Sequence, residues 1–406
     1  MSQINKLRQR QAPYGYLIIL SLVGFVTSFG AHIVTTNLPA YAQTVGVGTL
    51  MIGLLIAVYD FAEFFAKPFA GFVADRRGMK MMLLVGLAVF IFGSLLFLVI
   101  NPKLFLIVRF IQGLGAAALS TVSITLVAKY FSKGRGKAFG VYNAIKGAGY
   151  IVAPAVGGFL AGGFGFSLIL TVSAAVGAVA LILSLLLPND RLRGEKLEDD
   201  KDDISFQQFI LIFKDPRLLP IYAVIVINMF MVGILFGFLP VYLYSIRYTP
   251  TQSGTILSVA SFAYLLIQPL AGHLADRIGI RITVLVGLLM TAVTILVVTF
   301  TSGTPLICLV VVAGFGIGTV WTNSDTLVSA VADKNKLGAS IGVAQSFKEF
   351  GDMVGPITIG LLTQVYGVRT GFISCGASAT VLLLTLFLSK TFRTGAPIGG
   401  PGGLKS

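Results

Sequence analysis

The sequence predicts an all-α integral membrane protein of twelve transmembrane helices, built as two six-helix pseudo-symmetric halves. Three observations carry that prediction. Of 406 residues, 56% are hydrophobic and only 11% are charged, whereas soluble domains carry about 25% charged residues. The apolar residues gather into a dozen runs, each near the ~20 residues a helix needs to cross a bilayer. The second six runs repeat landmarks of the first at an almost constant spacing. A soluble core has no room for so much apolar surface, so lipid is the solvent.

In order, the runs fall near 14–41, 49–72, 79–100, 104–128, 138–161 and 165–187, then 217–245, 252–274, 282–301, 304–331, 339–364 and 370–390. The first is too long for a cleavable signal and lacks a small-residue cleavage site. Between the halves, a mixed-charge run from Glu195 to Asp203 precedes an apolar stretch from Ile204 to Phe213. That pattern reads as a flexible linker followed by a short interfacial helix. The organisation is an N-terminal half at 1–187, a cytoplasmic linker at 188–216, a C-terminal half at 217–391 and a Gly/Pro-rich tail at 392–406, expected to be disordered. Cys308 and Cys375 sit inside apolar runs and imply no disulfide or metal framework. One Trp and two His offer no metal-ligand cluster, and no nucleophile–base set points to an enzyme.

The net charge of +14 is distributed asymmetrically. With the N-terminus inside, the inward segments hold most basic residues, including Arg76, Arg77, Lys80, Lys129, Lys137, Lys214, Arg217, Arg277 and Arg281. The outward segments hold Lys103, Arg247 and Arg369. This is the positive-inside pattern, and it places both termini in the cytoplasm. The excess charge faces anionic lipid headgroups and not nucleic acid.

At an offset of 201 residues, Leu38-Pro39 meets Leu239-Pro240, Pro68 meets Pro269, Ala74-Asp75-Arg76 meets Ala275-Asp276-Arg277, and Gly113 and Gly115 meet Gly314 and Gly316. One residue later, Gly140, Lys146, Gly149 and Pro154 meet Gly342, Lys348, Gly351 and Pro356. Two six-span halves in the same orientation imply an axis along the membrane normal, about which they can rock in alternating access.

The stretch Gly71 to Lys80, with Asp75, Arg76 and Gly78 within it, resembles the loop signature of the major facilitator superfamily; its repeat holds Asp276 and Arg277. The resemblance implies that these residues form a cytoplasmic gate in which Asp75 meets the positive end of span 11. Span 4 carries Arg109-Phe-Ile-Gln112-Gly113, similar to the family's proton-coupling motif; a structural ion pair is the alternative. Span 5 holds Gly149, Pro154, Gly157 and Gly158, and span 11 holds Gly351, Gly355 and Pro356. These resemble the antiporter motif, with Ala153 standing where the pattern has Gly. Together the motifs resemble the twelve-span drug:proton antiporters. That implies a monomer in the bacterial cytoplasmic membrane that exports small amphipathic molecules and uses a proton gradient in place of any cofactor. Symport, metabolite export, or a non-transporting sensor on the same fold are the alternatives.

Ionisable residues within the spans are expensive and point to function. Asp60, Glu63 and Lys67 share one face of span 2. Span 11 carries Lys348, Glu349 and Asp352. Two arrangements stay open: a network joining the halves, or local pairs Glu63–Lys67 and Lys348–Asp352. Asp325 in span 10 has no basic neighbour on its own helix. It reads as an isolated carboxylate suited to carrying the proton, with Asp60 or Glu63 second. A cationic substrate could compete for the same carboxylate. His32, Asn37, Gln112, Lys146, Asn323 and Asp325 are the expected cavity residues. For Lys146, a distant acid, snorkelling and an anionic substrate group all remain open.

Overall fold

The computed structural model describes residues 14–131, 135–188, 212–332 and 337–388. Among them, twelve long helices follow one another: α1 Tyr14–Thr35, α2 Thr49–Arg77, α3 Met79–Leu96, α4 Phe105–Tyr130, α5 Arg135–Gly163, α6 Phe166–Ser184, α7 Leu219–Ser245, α8 Pro250–Ile278, α9 Ile280–Val297, α10 Gly303–Val331, α11 Leu337–Tyr366 and α12 Val368–Leu388. A short helix, Leu38–Thr44, continues the span that α1 begins. The predicted linker and tail lie outside the described residues, apart from 188 and 212–216 at the linker's ends. Among the described residues, eleven helices are long and apolar enough to cross a membrane. The remaining one, α11, has 30 residues but carries Lys348, Glu349 and Asp352 near its middle, which makes it the least lipid-like.

The helices group into two compact units. Among the described residues, unit 1 takes those within 14–45, 58–188 and 248–258, and unit 2 those within 46–57, 212–247 and 259–388. In unit 1, α1 packs on α5, and α3 packs on both α4 and α6. Leu20, Leu83, Leu87, Phe90, Leu119, Leu126 and Tyr142 fill its core. Unit 2 repeats those pairings, with α7 on α11, and α9 on both α10 and α12. Phe65, Phe69 and Phe72 stand exposed on α2, as do Leu266 and Leu270 on α8, as lipid-facing side chains do.

The units differ from the sequence halves at two places. The start of α2 belongs with unit 2 and the start of α8 with unit 1. Each is seated by a glycine under a proline carbonyl. Gly53 lies against the Pro356 carbonyl of α11, and Gly254 lies against the Pro154 carbonyl of α5. A Cβ at either glycine would overlap that carbonyl. Hydroxyls reinforce both seats: Thr49 Oγ1 donates to the Gly360 carbonyl at 3.1 Å, and Ser258 Oγ to the Ile151 carbonyl at 2.6 Å.

Candidate functional site

Each unit holds a polar cluster within its spans. In unit 1, Arg109 on α4 is 1% exposed. Its guanidinium donates to Gln112 Oε1 at 3.2 Å and to Thr35 Oγ1 at 3.3 Å, and it lies over the Tyr59 ring, 4.4 Å from the centroid. Gln112 donates onward to Ser94 at 3.1 Å, and Ser94 to the Phe90 carbonyl at 2.9 Å. This relay and the ring face offset the cost of burying the charge. Gln112, expected in the cavity, is instead buried by its bond to Arg109.

On α2, Glu63 pairs with Lys67 at 3.0 Å, one turn on. It also accepts from Ser120 Oγ of α4 at 3.0 Å. Asp60 lies one turn before it on the same face. His32 places Nδ1 3.1 Å from the Ser28 carbonyl, and its ring meets Tyr150 edge-on at 4.4 Å. Lys146 offers its main-chain carbonyl to Ser28 Oγ at 2.6 Å. Asn37, another expected cavity residue, is buried: its amide donates to the Ile33 carbonyl at 2.9 Å. It closes the break between α1 and the short helix, where main-chain carbonyls need donors.

In unit 2, Lys348 of α11 reaches Asp325 of α10. Nζ lies 2.8 Å from Oδ1 and 3.0 Å from Oδ2. The pair is lopsided: the lysine side chain is 4% exposed and the aspartate 42%. Lys348 Nζ also sits 4.7 Å from the centre of the Trp321 ring, and Trp321 meets Tyr264 of α8 edge-on at 5.9 Å. Asp325 is therefore not isolated, contrary to the sequence expectation, and Lys348 pairs with Asp325, which neither of the two open arrangements had named as its partner. Spacing along one helix cannot reveal a partner on the next. Asp352 and Glu349 are half-buried. Asn323 is 1% exposed and donates to the Thr319 and Ala271 carbonyls at 2.8 and 3.3 Å. It fastens α10 to α8 and does not line open space.

At the helix ends, Gly78 adopts φ 105° before α3, and its repeat Gly279 adopts φ 92° before α9; a side chain would be strained there. Lys80 donates to the Leu185 carbonyl at 2.6 Å and to the Leu187 carbonyl, which holds the end of α6. Arg76 covers the Phe72 ring at 4.1 Å. Gly71 faces Thr121, while Asp276 and Arg277 are exposed. The side chain of Asp75 lies outside the described residues. The antiporter-motif glycines are packing contacts. Gly149 meets Ser28, Gly157 meets Asn37, Gly158 meets the Pro250 carbonyl, Gly351 meets the Val226 carbonyl and Gly355 meets the Phe230 carbonyl.

Sequence reasoning overlooked Thr35, Tyr59 and Ser120 as partners, and Trp321 as a surface for Lys348. The repeat held a usable signal. Ser120 and Trp321 share one repeat position, and Glu63 and Tyr264 share another. The same α2–α4 contact thus recurs as α8–α10, hydroxyl to carboxylate in one and ring to ring in the other.

Comparison with known proteins agrees with this architecture. The chain is 26% identical over 355 residues to multidrug resistance protein 2 of Bacillus subtilis (strain 168), covering 86% of this chain and 88% of that one. It is 26% identical over 385 residues to multidrug resistance protein MdtG of Salmonella paratyphi C (strain RKS4594), covering 91% and 93%. Among solved structures, nucleoside transporter NupG superposes with a TM-score of 0.78 at 15% identity, covering 92% of this chain and 100% of that one. The D-xylose-proton symporter superposes with a TM-score of 0.75 at 14% identity, covering 94% and 99%. The family model for the Major Facilitator Superfamily matches residues 20–249 and again 221–406. The repeated six-helix architecture and these two matches make the chain a multi-pass membrane transporter of the Major Facilitator Superfamily.

Proposed function

We propose that this transporter is a proton-coupled antiporter of a bacterial cytoplasmic membrane, exporting small amphipathic compounds by alternating access as a monomer with both termini in the cytoplasm. The observation that supports it most is the Asp325–Lys348 pair within the spans, whose carboxylate is the accessible member. A proton arriving at Asp325 neutralises the group that holds Lys348 and breaks the pair. A proton and a substrate that both require Asp325 exclude one another, which is the simplest coupling for antiport. Arg109 keeps a second fixed positive charge in unit 1, where Glu63 is held by Lys67 and Ser120. Gly71, Asp75, Arg76, Gly78 and Lys80, with Asp276 and Arg277, form the gate in this reading. The two relatives named multidrug resistance proteins support the amphipathic substrate class.

The test is reconstitution in liposomes with an imposed pH gradient and a lumenal pH dye. Amphipathic compounds should dissipate the gradient, and Asp325→Asn should abolish that response. If no cation, anion or sugar in a broad panel moves protons, the antiport reading fails. Substrate moving with the proton, and not against it, would replace antiport with symport.

A further inference from the structure

The starts of α2 and α8 occupy the same place in the repeat, yet their first turns are completed differently. The leading N–H groups of a helix have no partner inside it and need an acceptor from elsewhere. α8 supplies its own. Gln252 N donates to Thr249 Oγ1 at 3.2 Å, and Thr249 N donates to Gln252 Oε1 at 2.9 Å. This is a reciprocal cap built from neighbouring residues of one chain segment. α2 has no such means. At the repeat positions of Thr249 and Gln252 stand Gly48 and Met51, and neither offers a side-chain oxygen. Gly48 holds the cap place, since Ile52 N donates to its carbonyl at 3.2 Å. The acceptor comes instead from α11: Leu50 N donates to Gln364 Oε1 at 3.0 Å. That reach is specific to α11. The repeat position of Gln364 is Gly162 of α5, which lies against Thr251 and has no side chain to extend. The first turn of α8 is therefore complete whether or not α5 stays beside it. The first turn of α2 keeps its protein acceptor only while α11 stays in place.

We infer that Gln364 is a positioning residue for transport: by capping α2 from α11 it favours the state in which the start of α2 is seated, and it does so at one of the two seats only. The seat lies at the end of α2 remote from the Gly71–Lys80 loop, which is the outer end in the topology proposed above. The bias therefore acts against outward opening. This role rests on the alternating access proposed above and not on the coupling ion.

Ile52, in the first turn of α2, is 2% exposed, so a cysteine there should react with a polar maleimide only when the seat opens. The full-length Ile52→Cys protein is labelled in nanodiscs without substrate or gradient. Mass spectrometry of its peptides separates position 52 from Cys308 and Cys375. Gln364→Leu should raise the labelling rate at position 52 by about fivefold, the net effect of one hydrogen bond. Gln364→Glu should stay near the native rate, because a carboxylate accepts the same N–H and suits a helix start. Gly48→Ser then separates positioning from simple helix support. The serine supplies α2 with a cap of its own, and its Cβ would approach only the end of the Gln364 side chain, at 3.0 Å. If Gln364 merely completes the helix, Gly48→Ser combined with Gln364→Leu restores the native rate. If it holds α2 to α11, the double variant stays fast, because its cap no longer depends on α11. An unchanged rate in Gln364→Leu overturns the proposal, as does a native rate in the double variant or a fast rate in Gln364→Glu. Labelling needs neither proton nor substrate, so a failure of antiport in liposomes leaves this result standing, and the reverse holds.

Discussion

Units 1 and 2 are two versions of one scaffold with different electrostatics. Their packing agrees at several repeated glycines. Gly113 lies against the Tyr59 carbonyl and Ala62, and Gly314 lies against the Ala260 carbonyl and Ala263, at the same repeat positions. Gly149 meets Ser28, and Gly351 meets Met229, again in register. The charges do not follow the repeat. Arg109 is buried where unit 2 has the buried apolar Val310. Asp325 stands where unit 1 has Ile124. Even the shared lysine differs in its surroundings: the Lys348 ammonium faces the Asp325 carboxylate and the Trp321 indole, and unit 1 has Ile124 and Ser120 at those two repeat positions. Backbone packing tolerates any side chain that fits, and so it persists through duplication. A buried charge survives only where several neighbours accommodate it, and those neighbours have to be acquired one unit at a time.

The largest effect should come from removing an acquired charge. Asp325→Asn leaves Lys348 buried without its counter-ion, and should cost about 3 kcal/mol of stability as well as gradient-driven transport; thermal unfolding in detergent and the liposome assay read the two losses separately. Lys348→Met leaves a partly exposed carboxylate and should cost clearly less. Equal losses would contradict the lopsided burial of the pair. Next, Arg109→Lys loses the planar fork that reaches Gln112 and Thr35 and stacks on Tyr59. Transport should fall by about tenfold or more, since Arg and Lys are not interchangeable at a stacked, branched site. The third test addresses what the units share. Gly53→Val and Gly254→Val should each destabilise the protein by about 1–3 kcal/mol, and by similar amounts, because each would overlap a proline carbonyl. A difference beyond about 1 kcal/mol, measured by unfolding, would break the equivalence of the two seats. The smallest effect sharpens the comparison at the backbone. Gly46 has φ 71°, and its repeat partner Arg247 has φ 67°. Arg247→Gly relieves that strain and should stabilise unit 2 by about 1 kcal/mol, as a rise in unfolding temperature.

The twelve helices, the duplication and the family signature were legible because each rests on a local property. Apolar runs of spanning length mark helices wherever they occur, and a repeated glycine or proline needs no partner to be noticed. The sequence also showed which charges the repeat does not share: Asp60, Glu63, Lys67, Arg109, Asp325, Glu349 and Asp352. Tertiary structure alone decided their partners. Glu63 pairs within its own helix, as its spacing to Lys67 allowed, whereas Asp325 takes Lys348 from a helix 23 residues away in the chain. Spacing on one helix is set by a constant 3.6-residue turn and can be counted. The side chains that meet across two helices depend on how those helices rotate and slide against each other, and many residues of small individual effect settle that together. For the same reason Asn37, Gln112 and Asn323 look like cavity residues in sequence and prove to be bonds within the packing.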